Sequence, residues 1–240
     1  METKVHGDDK IGIFPKTFMG SFVYGGIDGA VTTFAVVSGA TGANMDVSVI
    51  LVLGFANLIA DGFSMSVGSY FSAKTEQENY QKLYAQEEWE IENMRETEIQ
   101  EIREIYQKKG FEGDLLDKVV EVICNDKKVW IETMMTEELN TFKDHKTPFQ
   151  SGLATFLSFN FIGFIPLAIY VFGGFFHLQT AELFFISCFS TLLALGSVGW
   201  IKSLVTGQNK WKSVMETVFL GSVAALLAYV AGNFLEKLLS

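Results

Sequence analysis

Glu87 and Glu90 stand three residues apart, and so do Glu98 and Glu101. On a helix that is about one turn, so each pair can turn two carboxylates toward a common ion. Projected as a single helix, these four share one side with Glu76 and with Tyr80, Leu83, Met94, Ile102 and Ile105, while Glu78, Glu88, Glu92 and Glu96 take the more exposed side. Carboxylates on the apolar side of a helix are costly to bury unless a cation compensates, which favours an ion site over a merely solvated face. Further along, Met134 and Met135 stand one turn before Glu138, so one face offers thioether sulfur beside carboxylate oxygen. Oxygen donors alone suit calcium, magnesium or manganese, and an added thioether shifts the preference toward later transition metals. Methionines at helical spacing are also ordinary core residues, and that reading stands beside the ligand one.

A second set lies in apolar surroundings. Asp28 and Asp61 each interrupt a long hydrophobic stretch, and an ionisable residue inside a membrane span marks an ion or proton path by default. Counted from the turn near residue 44, Asp28 lies 16 residues back and Asp61 lies 17 residues forward. Both carboxylates therefore reach nearly the same depth, close to mid-membrane. Asn57, Asp61 and Met65 follow at four-residue intervals and line one stripe of amide oxygen, carboxylate and thioether. A structural polar contact between packed helices is the alternative. Gly25 and Gly29 make a small-xxx-small pair nearby, which serves equally for close packing within one chain or for a seam between two copies.

The elements that must position these residues are spans and an insertion. Of the 240 residues 49% are hydrophobic, and they collect in blocks; Phe is common (22) and Pro rare (3). A spanning helix needs about 20 mainly apolar residues. Five blocks meet that length: Thr17–Ala43, Val47–Ser72, Phe149–Phe176, Ala181–Ile201 and Val214–Leu235. The expected fold is an all-α membrane protein of five transmembrane helices, with residues 1–72 carrying spans one and two and 148–240 carrying spans three to five. Residues 73–147, between the second span and the third, form an acidic helical domain holding 19 of the 28 acidic residues and 11 basic ones. Its composition predicts a helix over Lys74–Lys109 stopped at Gly110, a second over Asp114–Cys124 and a third over Lys128–Phe142.

Cytoplasmic loops are enriched in Lys and Arg. The short loops after the first and third spans have none, whereas Lys10 and Lys16, the insertion, and Lys202, Lys210 and Lys212 lie on the alternate side. This places the N-terminus and the insertion in the cytoplasm. The polar N-terminal segment lacks the layout of a cleaved signal peptide, so the first block is expected to be retained. Cys124 and Cys188, and His6, His145 and His177, are scattered and form no zinc or disulfide pattern. No phosphate loop or dinucleotide fingerprint occurs, and no nucleic-acid partner is expected.

The stretches GGIDGAVTTFA, ADGFSMSVGSYFSAKTE and MMTEEL together resemble the vacuolar iron transporter family, which includes the yeast vacuolar iron and manganese importer, plant nodulin-like proteins and bacterial members. The resemblance covers nearly the whole chain. It implies proton-coupled export of ferrous iron from the cytosol by a homodimer of five-span subunits, with no resident cofactor. It also implies a cytoplasmic metal site at Glu87, Glu90, Glu98, Glu101, Met134, Met135 and Glu138, and membrane residues at Asp28 and Met65. One position departs: Asn57 stands where members of the family often carry glutamate, and Asp61 is the nearest carboxylate. The run NLIADGFSM is similar to bacterial members, which implies a plasma membrane; a eukaryotic source would imply a vacuolar one. The expected cargo is Fe2+, with Mn2+, Co2+ and Zn2+ as further candidates. Two rivals are a membrane ferroxidase and a metal storage or sensor protein. A helix-bundle di-iron site uses Glu-x-x-His motifs, and no His lies in the glutamate stripe; an anchor would need one span only and no mid-membrane aspartates.

Overall fold

The structure, a computed structural model, describes residues 10–11, 14–143, 147–173 and 178–239. His6, His145 and His177 lie outside the described residues. The chain divides into two compact units, residues 1–72 with 146–240 and residues 73–145.

In the first unit a long helix, α1 (Lys16–Gly42), packs against three others, α6 (Pro148–Phe172), α7 (Thr180–Thr206) and α8 (Lys210–Leu239). The first part of α2 (Val47–Asn93) completes it. All five helices are long and apolar enough to cross a membrane. Close packing of α1 is built from glycines. A Cβ on Gly29 would collide with the carbonyl of Phe159, and one on Gly25 would lie 2.7 Å from the carbonyl of Thr155, both on α6. Toward the other end, Gly42 and Gly232 similarly admit the carbonyls of Tyr229 and Gly39 between α1 and α8. The Gly25–Gly29 pair therefore serves packing within the chain, one of the two uses the sequence left open. An apolar core of Val37, Ile50, Leu58, Phe159, Leu167 and Leu183 fills the interior, while Phe161, Phe185, Phe189 and Phe219 stand exposed, as lipid-facing side chains do.

Local chemistry sets the helix ends. Asn44 turns the chain between α1 and α2 with a positive φ of 51°. Thr147 caps α6 by accepting from the Gln150 amide, with Pro148 at the first helical position. Glu182 reaches back to the Gln179 amide at the start of α7, and Gly207 ends α7 in the left-handed region. The helices α7 and α8 run several residues beyond the expected Ala181–Ile201 and Val214–Leu235, whereas α6 stops at Phe172. Ahead of α1 two short strands, β1 (Lys10–Ile11) and β2 (Phe14–Pro15), pair antiparallel, a feature the all-α expectation did not include.

The second unit consists of the last part of α2, then α3 (Arg95–Lys108), α4 (Gly113–Cys124) and α5 (Lys127–Glu137). Its core joins Ile91, Ile102, Leu116, Val120, Ile123, Trp130, Ile131, Met134 and Met135. Arg95 stacks over Trp130 at 5.0 Å. Asp126 caps α5 by accepting from the amides of Lys128 and Val129. Two expectations are corrected here. The helix predicted over Lys74–Lys109 is broken at Met94, which leaves helical geometry (φ −127°, ψ 35°) and stands exposed. The helix predicted over Lys128–Phe142 ends at Glu137, because Asn140 adopts a positive φ of 47° and the Leu139 and Thr141 amides fold back onto the carbonyls of Met134 and Met135.

Candidate metal centre

The break at Met94 changes how the glutamates meet. Glu87 and Glu90 lie on the last turns of α2, Glu98 and Glu101 on α3, and Glu138 at the C-terminal cap of α5. They face one another from three helices instead of lining one. Glu87 and Glu98 are only 2% and 3% exposed. Glu90 and Glu101 are half-buried and Glu138 is exposed. Glu76, expected on the same side, is exposed.

Charge dominates this group. Burial, then Glu138, Glu98, Glu90 and Glu101, push Glu87 up to about 7. Burial, then Glu101, Glu90 and Glu138, push Glu98 up to about 7 as well. Glu101 and Glu138 are raised by burial first and by neighbouring carboxylates second. Among the described residues none of the five pairs with Lys or Arg. The nearby cations are engaged elsewhere: Lys127 with Glu88 and Glu92, Lys109 with Glu137, Arg103 with Asp117. Glu90 accepts from Gln86 at 3.0 Å. The Oε2 atoms of Glu87 and Glu98 are buried with no hydrogen-bond partner among the described residues. Orphaned carboxylate oxygens in a low-dielectric group of like charges are what a divalent cation would neutralise. The donor set therefore fits a cation, although among the described residues no three acidic, His or Cys side chains converge as a closed metal cage.

Met134 and Met135 are 0% and 1% exposed and belong to the apolar core of the unit. The amide of Glu138 donates to the carbonyl of Met134, tying the cap carboxylate to that turn.

In the membrane unit Asp28 on α1 is half-buried, and Thr32 donates its hydroxyl to the Asp28 carbonyl at 2.8 Å. Asp61 on α2 is exposed, and the two carboxylates lie within electrostatic range of each other. Counting along the helices from the turn gives the same juxtaposition. Asn57 and Met65 are half-buried on the stripe that holds Asp61, Met65 against the apolar core and Asn57 with a buried amide nitrogen that has no partner among the described residues. One residue escaped sequence reasoning. Asn160 of α6 rests against Gly62, the neighbour of Asp61. The signal was available: it is the one amide side chain deep inside the third apolar block.

A bundle of five spans with acidic residues in its apolar layer, carrying an acidic helical insertion, defines an integral membrane protein of the ion-handling kind. The chain belongs to the VIT family, whose sequence model matches residues 19–233. It is 35% identical over 227 residues to a vacuolar iron transporter of Toxoplasma gondii, covering 91% of this chain and 74% of the relative. A vacuolar iron transporter of Plasmodium berghei is also 35% identical over 227 residues (92% and 83% covered). Vacuolar iron transporter 1 of Arabidopsis thaliana is 33% identical over 215 residues (89% and 84% covered).

Proposed function

We propose that this chain is a proton-coupled transporter that moves ferrous iron, with manganese as a second cargo, out of the cytosol, working as a homodimer and making or breaking no covalent bond. The observation that carries the reading is the group of five carboxylates around Glu87 and Glu98, with buried unpartnered oxygens and no basic partner among the described residues. The names of the relatives support iron as the cargo. The distribution of Lys and Arg supports a cytoplasmic insertion, where Glu87, Glu90, Glu98, Glu101 and Glu138 would collect ions and Met134 and Met135 would add a preference for softer metals.

In the membrane unit Asp28 and Asp61 would carry the coupling. Two like charges within reach of each other favour one shared proton or one bound cation over two bare carboxylates. Arrival of the metal would displace the proton, and return of the proton would release the metal. With an amide at Asn57, Asp28 on α1 and Asp61 on α2 are the carboxylates of this layer. The test is uptake of Fe2+, Mn2+, Co2+ and Zn2+ by proteoliposomes under an imposed pH gradient. Metal uptake that responds to the gradient supports the proposal; iron-dependent oxygen consumption without flux would replace it with the ferroxidase reading.

A further inference from the structure

Asn160 interrupts the run Phe156–Phe164 near the middle of α6. Two close contacts fix its depth. The position a Cβ would take on Gly62 lies 2.7 Å from Asn160 Nδ2 and 3.6 Å from its Cγ, so the amide lies against the α2 backbone beside Asp61. On α1, the Gly29 turn meets the Phe159 carbonyl, and a Cβ on Gly163 would lie 2.8 Å from the Gly29 carbonyl. The turn that carries Asp28 thus meets the turn of α6 that carries Asn160. Asp28 and Asp61 are already within electrostatic range. Three helices bring two carboxylates and one amide into a single layer of the membrane unit.

The orientation of the amide follows from chemistry. Nδ2 donates to the Phe156 carbonyl at 2.9 Å; an amide oxygen there would face another oxygen and repel it. Oδ1 is left without a hydrogen bond among the described residues. Asn160 is half-buried, so Oδ1 is free to accept from a ligand, and glycine at both contacts gives the side chain and its turn the room to sit in that layer.

We propose that Asn160 is a third residue of the membrane site, its Oδ1 acting as a neutral ligand to the divalent cation that passes Asp28 and Asp61. The proposal rests on the transporter reading above. Two carboxylates already balance a divalent charge. Hard cations take further oxygens, carbonyls included, and a neutral one completes the shell without an extra charge that would hold the ion in place. Passage needs binding strong enough to admit the ion and weak enough to release it.

The experiment measures Fe2+ and Mn2+ uptake by full-length wild type, Asn160→Leu and Asn160→Asp in proteoliposomes across a pH series, with the melting temperature of each purified protein recorded. Asn160→Leu, similar in size, is expected to raise KM on the order of tenfold, the scale of losses when groups around a bound metal are removed. Asn160→Asp is expected to lower KM, slow turnover and shift the pH profile, because it adds a titrating charge to the layer. A purely structural amide would change the melting temperature and leave KM and the pH profile of Asn160→Asp at wild-type values, which overturns the proposal even where Asn160→Leu does not fold. Wild-type flux matched by both variants overturns the assignment of Asn160 alone; wild-type protein that moves no cation overturns the transporter reading itself.

Discussion

At the scale of single residues, the decisive feature is a carboxylate kept from both water and a basic partner. Glu87 and Glu98 sit near 7 where the ordinary value is 4.5. Between those values the native state holds protons that the unfolded chain has released. The stability these groups contribute is therefore intact below about 4.5 and lost as pH rises through about 7. A cation bound between the carboxylates would reverse that loss. Metal-free protein is expected to melt at a lower temperature at pH 8 than at pH 5.5, and added Co2+ or Zn2+ to close the gap; melts that ignore both pH and metal would remove the site from this group. Calorimetry on the full chain is expected to detect Co2+ or Zn2+ binding by wild type and its loss when Glu87, Glu90, Glu98 and Glu101 are changed to alanine. For the membrane pair, Asp28→Asn keeps the size and an oxygen but removes the titration. Its uptake is expected to lose the response to a pH gradient while metal binding by the glutamate group persists. Wild-type rates with the response intact would make Asp28 a packing residue.

At the scale of elements, the spans were legible because a helix in lipid is written in composition alone: a long apolar run needs no partner to be recognised. Asp28 and Asp61 could be matched in depth for the same reason, since a helix has a fixed rise and the turn at Asn44 sets the zero. The break at Met94 was not legible. No Gly or Pro marks it, and the surrounding residues favour helix. Ile91 before the break and Ile102 after it are buried in the same core with Trp130, but a straight helix would also put these two on one face, so their pattern carries no sign of the break. The wheel thus put Glu87, Glu90, Glu98 and Glu101 on one side for the wrong reason, and misplaced Glu76 and Met94, which are exposed. The choice between core and ligand for Met134 and Met135 was equally closed to sequence, because both uses want the same spacing. The glycines of α1 show the reverse case, where structure chose between two readings. Gly29→Val would press a branched side chain onto the Phe159 carbonyl, a rigid neighbour. Overpacking of this kind costs about 1–3 kcal/mol. The variant is expected to melt several degrees lower in detergent than Gly20→Val, since among the described residues nothing lies within 4 Å of a Cβ at Gly20; equal melts would mean α1 and α6 are not packed as described.

At the scale of the whole molecule, the spent glycines of α1 move the expected dimer seam. Gly25 and Gly29 are occupied by α6 and leave little for a second copy. A polar uncovered surface lies on α2, where Asp61, Ser64 and Gly68 are exposed on one side and, among the described residues, nothing lies within 4 Å of a Cβ at Gly68. The opposite side of α2 presents Val52, Phe55, Ile59 and Phe63, which suit lipid. A carboxylate and a hydroxyl at membrane depth do not, and α7 and α8 are packed on the far helix, α1. A second copy that lays its own polar stripe against this one would cover both and enclose the Asp61 carboxylates, so the ion path would exist only in the assembled pair. The expectation is tested in protein with Cys124 and Cys188 replaced by alanine. Single cysteines at Ser64 or Gly68 are expected to cross-link between subunits in membranes, and cysteines at Phe161 or Phe219, which face outward on α6 and α8, to remain monomeric. Cross-links at the outward phenylalanine positions with none along α2 would place the seam elsewhere, and Asp61 would then have to be shielded within a single chain.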